Sequence, residues 1–218
     1  MSIIHRSKSV CPNCKSELEV EVCDSVNVDV NPRLRELVLK GEINRADCPG
    51  CGNRIVINQP FLYHNMSRNF YIFYIPEHVN PDEAIASAEL IAQIGNSTLR
   101  YVTELEELID KIHVFEDGLN DIVVQVLKSY LEVNPSLCSP APPMNIYYMG
   151  MNKESSNDEG MLQFLLRYDN GTSQTVGISY QESYLNIYEQ CKQFNILSPD
   201  NDMCIYVNNQ YIVDKLNM

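Results

Sequence analysis

Four cysteines at repeated spacing are the residues of this chain best suited to chemistry. They form Cys-Pro-Asn-Cys at residues 11–14 and Cys-Pro-Gly-Cys at residues 48–51, with 33 residues between the two turns. A Cys-X-X-Cys turn directs both sulfurs to one side of a tight loop, so two such turns supply the four thiolates of a tetrahedral Zn²⁺ site. We therefore expect Cys11, Cys14, Cys48 and Cys51 to bind one structural Zn²⁺ per chain.

A redox dithiol and a pair of disulfides are the alternatives to a metal site. A redox motif uses one Cys-X-X-Cys pair, usually at a helix N-terminus, where the helix dipole lowers the pKa of a thiol. Here both turns lead into sequence typical of strands, Lys15–Val20 after the first and Gly52–Ile57 after the second. Four cysteines also fill the coordination shell, whereas catalytic zinc keeps one position open. The pattern therefore favours a structural, inert zinc ion.

His64 is the only candidate for a catalytic residue outside the cysteines, and Glu116 and Asp117 are the carboxylates that would assist it. A general base must be held in a cleft beside its substrate. A lone histidine in an aromatic strand is more often a hydrogen-bonded structural residue. We therefore assign no catalytic residue and expect a protein without enzymatic activity, with an enzyme based on His64 kept as an alternative.

The charge distribution argues against nucleic acid as a partner. The net charge of −13 is carried by residues 61–218, because residues 1–60 hold eight basic and eight acidic side chains. Phosphate contact requires a surplus of Lys and Arg. Arg33, Arg35, Lys40 and Arg45 form the only candidate basic patch, which we interpret as a solvated face. A nucleic-acid-binding zinc ribbon is thus a disfavoured alternative.

The cellular compartment follows from the thiols and from the hydropathy of the chain. No apolar signal region follows Met1, and no run of 18 apolar residues occurs. Metal-ligating thiols require a reducing environment. We expect a cytoplasmic protein that does not interact with a membrane.

The elements that position the cysteine turns are predicted to be strands with one short helix. Leu18, Val20 and Val22 alternate with glutamates, the pattern of a strand with one wet face. Asn31-Pro32 then begins a helix that ends at Gly41. The aromatic segments 61–66 and 70–75 predict two further strands that pack on this elaborated zinc ribbon.

The rest of the chain predicts helices followed by a small α/β piece. Helices are expected from Asn80, from the capping box at residues 103–106, and over residues 119–130. A Pro-rich linker follows, then strands over 146–151, 161–168 and 172–180, a helix over 182–194, and a closing strand pair over 204–207 and 211–213. We predict an α+β fold with three parts: a zinc-ribbon domain with a helical second half (1–131), the linker (132–143), and a small α+β domain (144–218).

Three features together resemble the bacterial and archaeal CpXC domain family. They are the paired Cys-Pro-X-Cys turns, the segment Phe61–Met66, and the segment Phe115–Asp121. The resemblance spans residues 8–131 and implies a zinc-ribbon-like fold with a bound metal in a family of uncharacterised function. Family members tend to have Asp at the positions of Asn65 and Asn120.

Three hypotheses on function follow, in order of preference. The first is a zinc-stabilised module that interacts with an unknown protein or small ligand. The second is the enzyme based on His64. The third is a nucleic-acid-binding ribbon that uses Arg33, Arg35 and Arg45.

Overall fold

A computed structural model describes residues 1–82, 85, 97–134, 137, 142–152, 160–197 and 204–217. The chain divides into two compact units, an amino-terminal unit (Met1–Ile109) and a carboxy-terminal unit (Asp110–Met218). Both units contain helices and strands, so the predicted α+β class is confirmed. Among the described residues, none of the helices combines the length and the apolar character needed to cross a bilayer.

The amino-terminal unit is built on a mixed five-stranded sheet. Its strands are β1 (Ile3–Val10), β2 (Glu17–Asn27), β5 (Phe61–Asn65), β6 (Phe70–Tyr74) and β7 (Thr98–Val102), in that spatial order. β1 and β2 pair antiparallel, β2 and β5 parallel, β5 and β6 antiparallel, and β6 and β7 parallel. A second sheet consists of the antiparallel pair β3 (Arg45–Asp47) and β4 (Arg54–Val56).

The predicted alternation along β2 is present. Leu18, Val20 and Val22 are buried, and the glutamates between them are exposed. Phe61 and Tyr63 of the aromatic strand β5 and Phe70 of β6 are buried in the core. Because side chains on a strand alternate between faces, one face of each strand supplies the core.

The helix between the cysteine turns, α1, spans Pro32–Leu39 and buries Val38. Pro32 begins it, as predicted, because a proline at the first helical position sacrifices no hydrogen bond. Asn31 precedes it, but its side chain makes no capping hydrogen bond. Gly41, with φ of +65°, donates its N–H to the carbonyl of Val38 and ends the helix at the predicted place.

The carboxy-terminal unit combines helices with a three-stranded antiparallel sheet. The helices are α2 (Leu105–Glu116, within which the two units divide), α3 (Asp121–Val133), α4 (Leu185–Gln193, preceded by a π-helical turn at Tyr180–Tyr184) and α5 (Asn209–Leu216). The strands are β8 (Asn145–Asn152), β9 (Met161–Arg167) and β10 (Ser173–Ser179), in the order β10-β9-β8. Leu127, Tyr148 and Phe164 lie at the centre of the core that α3 and the sheet share.

The carboxy-terminal end of the chain differs from its prediction. The expected strand pair over 204–207 and 211–213 is wrong, because residues 209–216 form α5. The Oδ1 of Asn208 accepts a hydrogen bond from the N–H of Tyr211, so Asn208 caps a helix and does not form a hairpin turn. The predicted hairpin at residues 169–171 is present, with Gly171 at φ of +78° between β9 and β10.

The compact units differ from the three predicted domains (1–131, 132–143 and 144–218). The structure divides at Ile109, because α3 packs against the carboxy-terminal sheet and helices. Residues 135, 136 and 138–141 of the predicted linker lie outside the described residues, as do residues 83, 84 and 86–96 of the predicted helix from Asn80. Which segment folds independently stays a prediction.

Candidate metal centre

The first cysteine turn joins β1 to β2. The N–H of Cys11 donates to the carbonyl of Ser16 at 2.9 Å, and the N–H of Lys15 donates to the carbonyl of Cys11 at 2.9 Å. Lys15 adopts φ of +64°, in the left-handed region. These two hydrogen bonds close a tight loop in which the side chains of Cys11 and Cys14 face the same side.

The second cysteine turn joins β3 to β4 and repeats this geometry. The N–H of Cys48 donates to the carbonyl of Asn53 at 2.9 Å, and the N–H of Gly52 donates to the carbonyl of Cys48 at 2.8 Å. Gly52 has φ of +70°. Each turn thus connects two antiparallel strands. The sequence predicted the strand that follows each turn, but not the strand that precedes it.

The four sulfurs converge on one point. All of them lie within 4.8 Å of one another. The Sγ atoms of Cys11 and Cys51 are 3.7 Å apart, and those of Cys14 and Cys48 are 3.5 Å apart. A tetrahedron of metal–sulfur bonds of about 2.3 Å places its sulfurs about 3.8 Å apart. These distances fit a shared metal ion and are far longer than a disulfide bond of about 2.05 Å, and all four cysteines are free thiols.

The site is half inside the protein. Cys11 and Cys48 are buried, whereas Cys14 and Cys51 are exposed. The two buried cysteines belong to a small apolar cluster with Leu18, Val20, Val22 and Ile55. A metal ion at this position therefore extends the core that holds the two strand pairs together.

Polar groups surround the exposed sulfurs. The Oγ of Ser16 lies 3.1 Å from the Sγ of Cys14, and the side-chain amide of Asn13 donates to the Sγ of Cys51 at 3.6 Å. Gly50 approaches the first turn so closely that a Cβ there would lie 2.8 Å from the Oγ of Ser16. The sequence did not indicate these neighbours, although hydrogen bonds to metal-bound sulfur are common around such sites.

The two turns hold their thiols in different electrostatic environments. The hydrogen bond from Ser16 lowers the pKa of Cys14 to about 6. A backbone hydrogen bond from Cys14 lowers the pKa of Cys11, whereas burial raises the pKa of Cys48 to about 11. A metal binds thiolates, so occupation of the site displaces the protons that remain, above all from Cys48.

The other described cysteines, Cys23, Cys191 and Cys204, are not part of the cluster. Cys23 is buried and its Sγ donates to the carbonyl of Ser25 at 3.3 Å. Cys191 and Cys204 are buried in the carboxy-terminal unit, and Cys138 lies outside the described residues.

His64, the candidate general base, is buried in the sheet. Its Nε2 lies 3.3 Å from the Oγ of Ser25, and its ring stacks on Tyr71 with centroids 5.5 Å apart. Its Nδ1 has no hydrogen-bond partner among the described residues. Burial lowers the pKa of His64, so the imidazole is held neutral. These contacts are those of a structural histidine.

The carboxylates expected to assist His64 belong to the carboxy-terminal unit. The Oδ2 of Asp117 accepts hydrogen bonds from the hydroxyl of Tyr148 at 2.7 Å and from the N–H of Met151 at 3.0 Å. Asp117 therefore fastens the end of α2 to β8. These hydrogen bonds give Asp117 a structural role that does not depend on catalysis.

Two of the four residues of the candidate basic patch, Lys40 and Arg45, lie close to acidic side chains. Arg45 lies 3.8 Å from Glu42, and Lys40 lies 3.8 Å from Glu36. Arg54, which was not part of the prediction, pairs with both Glu42 and Asp47 at 3.1 Å. Paired guanidinium and ammonium groups offer little attraction for a phosphate backbone.

Comparison with known proteins gives one match. A family model described as CpXC protein matches residues 10–128, which include both cysteine turns and end within α3. No curated protein and no solved structure matches the chain.

Proposed function

The chain belongs to the CpXC family, and from that premise we propose a non-catalytic cytoplasmic protein in which one structural Zn²⁺ stabilises a module that interacts with another protein or a small ligand. The observation that carries the proposal is the convergence of four sulfurs within 4.8 Å. A Cys₄ set suits zinc or iron, and zinc is the ion found in structural Cys₄ ribbons.

The donor set argues against catalysis at the metal. Four protein thiolates complete a tetrahedral shell, so no position is left for water or substrate. The contacts of His64 and Asp117 support structural roles for both. The cytoplasmic location is supported by the need of thiolate ligands for a reducing compartment.

Elemental analysis of the purified full chain tests the metal. We expect about one zinc per chain in the native protein and a loss of zinc in Cys11→Ser and Cys48→Ser. Cys23→Ser is the matched control, because this buried thiol lies outside the cluster and a hydroxyl retains the hydrogen bond to Ser25. Iron in place of zinc, or equal zinc in all variants, would contradict the assignment.

The nucleic-acid alternative has a separate test. Electrostatic contacts to phosphate are strongest at low salt, so a gel shift at about 50 mM salt gives binding its best chance. We expect no shift with single-stranded or double-stranded probes. A shift that Arg45→Gln abolishes would favour this alternative.

A further inference from the structure

Three helices of the carboxy-terminal unit surround an open apolar groove. The groove has a volume of about 580 Å³ and lies between α3, α4 and α5. Five large apolar side chains in its lining are exposed to solvent by 48–75%: Tyr130, Val133, Phe194, Val213 and Leu216. Contiguous exposed apolar surface of this kind marks an interaction site.

The spacing of the lining residues indicates which kind of structural element fits the groove. α3 contributes Val126, Ser129, Tyr130 and Val133, at positions i, i+3, i+4 and i+7. The lining residues of α4 and its C-cap have the same spacing from Ile187 to Phe194, and those of α5 have it from Asn209 to Leu216. Such a stripe is the face that one helix presents to another. Three stripes around one groove leave a place for a fourth helix.

A small molecule fits this groove less well. Small-molecule pockets enclose about 70–90% of their ligand. Here Val133 and Phe194 at the rim are themselves 75% and 69% exposed, so the groove is open along its edge. An open apolar surface is better covered by a rigid element with side chains of its own.

The net charge of the carboxy-terminal unit indicates which charge the partner of the groove carries. Residues 110–218 contain six Lys and Arg against fourteen Asp and Glu, a net charge of −8. Among the described residues of the lining, Glu132 is the one that is charged, and its carboxylate accepts a hydrogen bond from Asn209. Outside the buried ion pairs, the three helices carry Glu132, Glu189 and Asp214 against Lys192 and Lys215. Like charge therefore opposes a second copy of the chain and an anionic amphiphile, and favours a cationic partner.

We propose that the groove between α3, α4 and α5 docks a basic amphipathic helix of a partner protein, which lies on the three helices as a fourth. The inference rests on the proposed interaction role and specifies its partner. The partner helix presents apolar residues at i, i+3, i+4 and i+7 to the groove and carries Lys or Arg on its other face, opposite in sign to the net charge of −8 of the unit.

Fluorescence anisotropy with a labelled probe helix tests the proposal on the zinc-loaded full chain. The probe is a peptide of about 18 residues in which leucines form one i, i+3, i+4, i+7 stripe and all other positions are lysine. One control peptide has the same composition in scrambled order, and another replaces each lysine with glutamate. We expect the striped lysine peptide to bind at least about tenfold more tightly than either control, and the advantage over the glutamate peptide to shrink as salt increases.

Variants of exposed residues locate the binding site. Phe194→Ser should weaken binding about tenfold, because exposed aromatic side chains in a groove are typical anchors. Met144→Ser is the matched control, since Met144 is 67% exposed, belongs to the same unit and lies outside the groove lining. Circular dichroism and zinc content are measured on each variant to verify the fold.

Three outcomes would overturn the proposal: equal binding of striped and scrambled peptides, equal effects of Phe194→Ser and Met144→Ser, or a dimer that sedimentation shows and Phe194→Ser dissociates. Binding of a small apolar dye at Phe194 without binding of the peptide would indicate a ligand pocket instead. Zinc content reports on the metal separately, so loss of the groove hypothesis leaves the metal assignment standing, and the reverse also holds.

Discussion

Lys15 and Gly52 occupy equivalent positions in the two cysteine turns. Each donates its backbone N–H to the carbonyl of the first cysteine of its turn, and each has a left-handed backbone, with φ of +64° for Lys15 and +70° for Gly52. Glycine adopts this region without strain, whereas a residue with a Cβ pays about 1 kcal/mol or more. The first turn therefore contains strain that the second does not.

This asymmetry predicts opposite effects of two substitutions. Gly52→Ala should lower the free energy of unfolding by about 1 kcal/mol, and because a Cβ there meets nothing within 4 Å, the cost comes from the backbone alone. Lys15→Gly should be neutral or slightly stabilising, since relief of strain offsets the added freedom of the unfolded chain. Urea unfolding of the zinc-loaded protein measures both. A larger loss for Lys15→Gly than for Gly52→Ala would contradict the assignment.

Gly50 and Ser16 predict a coupling between the two turns. In Gly50→Ala the new Cβ would meet the Oγ of Ser16 at 2.8 Å, and Ser16 would have to move away from the Sγ of Cys14. We expect about tenfold weaker metal affinity in this variant, in the range found when groups next to metal ligands are disturbed. Competition with a chromophoric chelator measures the affinity.

The control for this coupling is Gly50→Ala in a Ser16→Ala background. Removing the Oγ removes the closest contact, so the alanine at position 50 should there cost clearly less than it does in the native background. Equal costs in the two backgrounds would show that Gly50 acts through its backbone conformation and not through its approach to Ser16.

The cluster of four cysteines could be predicted from the sequence because its information is local. Each turn is set by a few adjacent residues, and the alternation of Leu18, Val20 and Val22 marks the strand that carries the first turn. Strand β1 was not predicted, because its residues 5–9 are His, Arg, Ser, Lys and Ser and show no apolar period. Its pairing with β2 is a long-range property that no local pattern records.

Two helix N-termini differ from their predictions because the sequence allows more than one capping residue or more than one role for it. The predicted capping box at residues 103–106 uses the carboxylate of Glu106. In the structure α2 begins at Leu105, and the carboxylate of Glu107 accepts hydrogen bonds from the N–H groups of Thr103 and Glu104 instead. The strand pair predicted over 204–207 and 211–213 implies a turn at Asn208, whereas Asn208 caps α5. Asparagine favours both settings for the same reason, the acceptor on its short side chain, so the sequence alone did not decide between them.

The positions of Asn65 and Asn120, where the family tends to have Asp, are explained by the same acceptor chemistry. The Oδ1 of Asn65 accepts from Ser67 and from the N–H of Arg68, and the Oδ1 of Asn120 accepts from the N–H groups of Ile122 and Val123. At both places the contacts among the described residues use the side-chain oxygen, and Asn and Asp supply it equally well.

A buried ion pair in the carboxy-terminal unit predicts a large effect of one neutral substitution. The Nζ of Lys111 lies 2.8 Å from the Oδ2 of Asp121, with the two side chains 6% and 2% exposed. Burial lowers the pKa of Lys111, while Asp121 acts in the opposite direction. Asp121→Asn leaves the ammonium without its counter-charge and should cost about 3–5 kcal/mol of unfolding free energy.

Two comparisons make this test specific. The double variant Lys111→Met with Asp121→Asn should be less destabilised than the sum of its single variants, because it leaves no unpaired buried charge. Glu36→Gln breaks the exposed pair with Lys40, whose side chains are 65% and 69% exposed, and should change the free energy by less than about 0.5 kcal/mol. Additive effects in the double variant would show that the pair is not coupled.

The buried imidazole of His64 predicts a dependence of stability on pH. Burial lowers the pKa of His64 in the folded state, whereas in the unfolded chain it returns to about 6.5. The unfolded state therefore binds more protons below that pH, so the contribution of His64 to stability is complete above about 6.5 and declines as pH falls toward the folded pKa. Thermal unfolding between about pH 5 and 8 should show a steeper decline in the native protein than in His64→Phe.

Both proteins retain the four thiols, so the difference between their slopes removes the pH dependence of metal binding. A native slope in His64→Phe would mean that the imidazole has the same pKa in the folded and the unfolded chain, and would contradict the lowering of its pKa by burial.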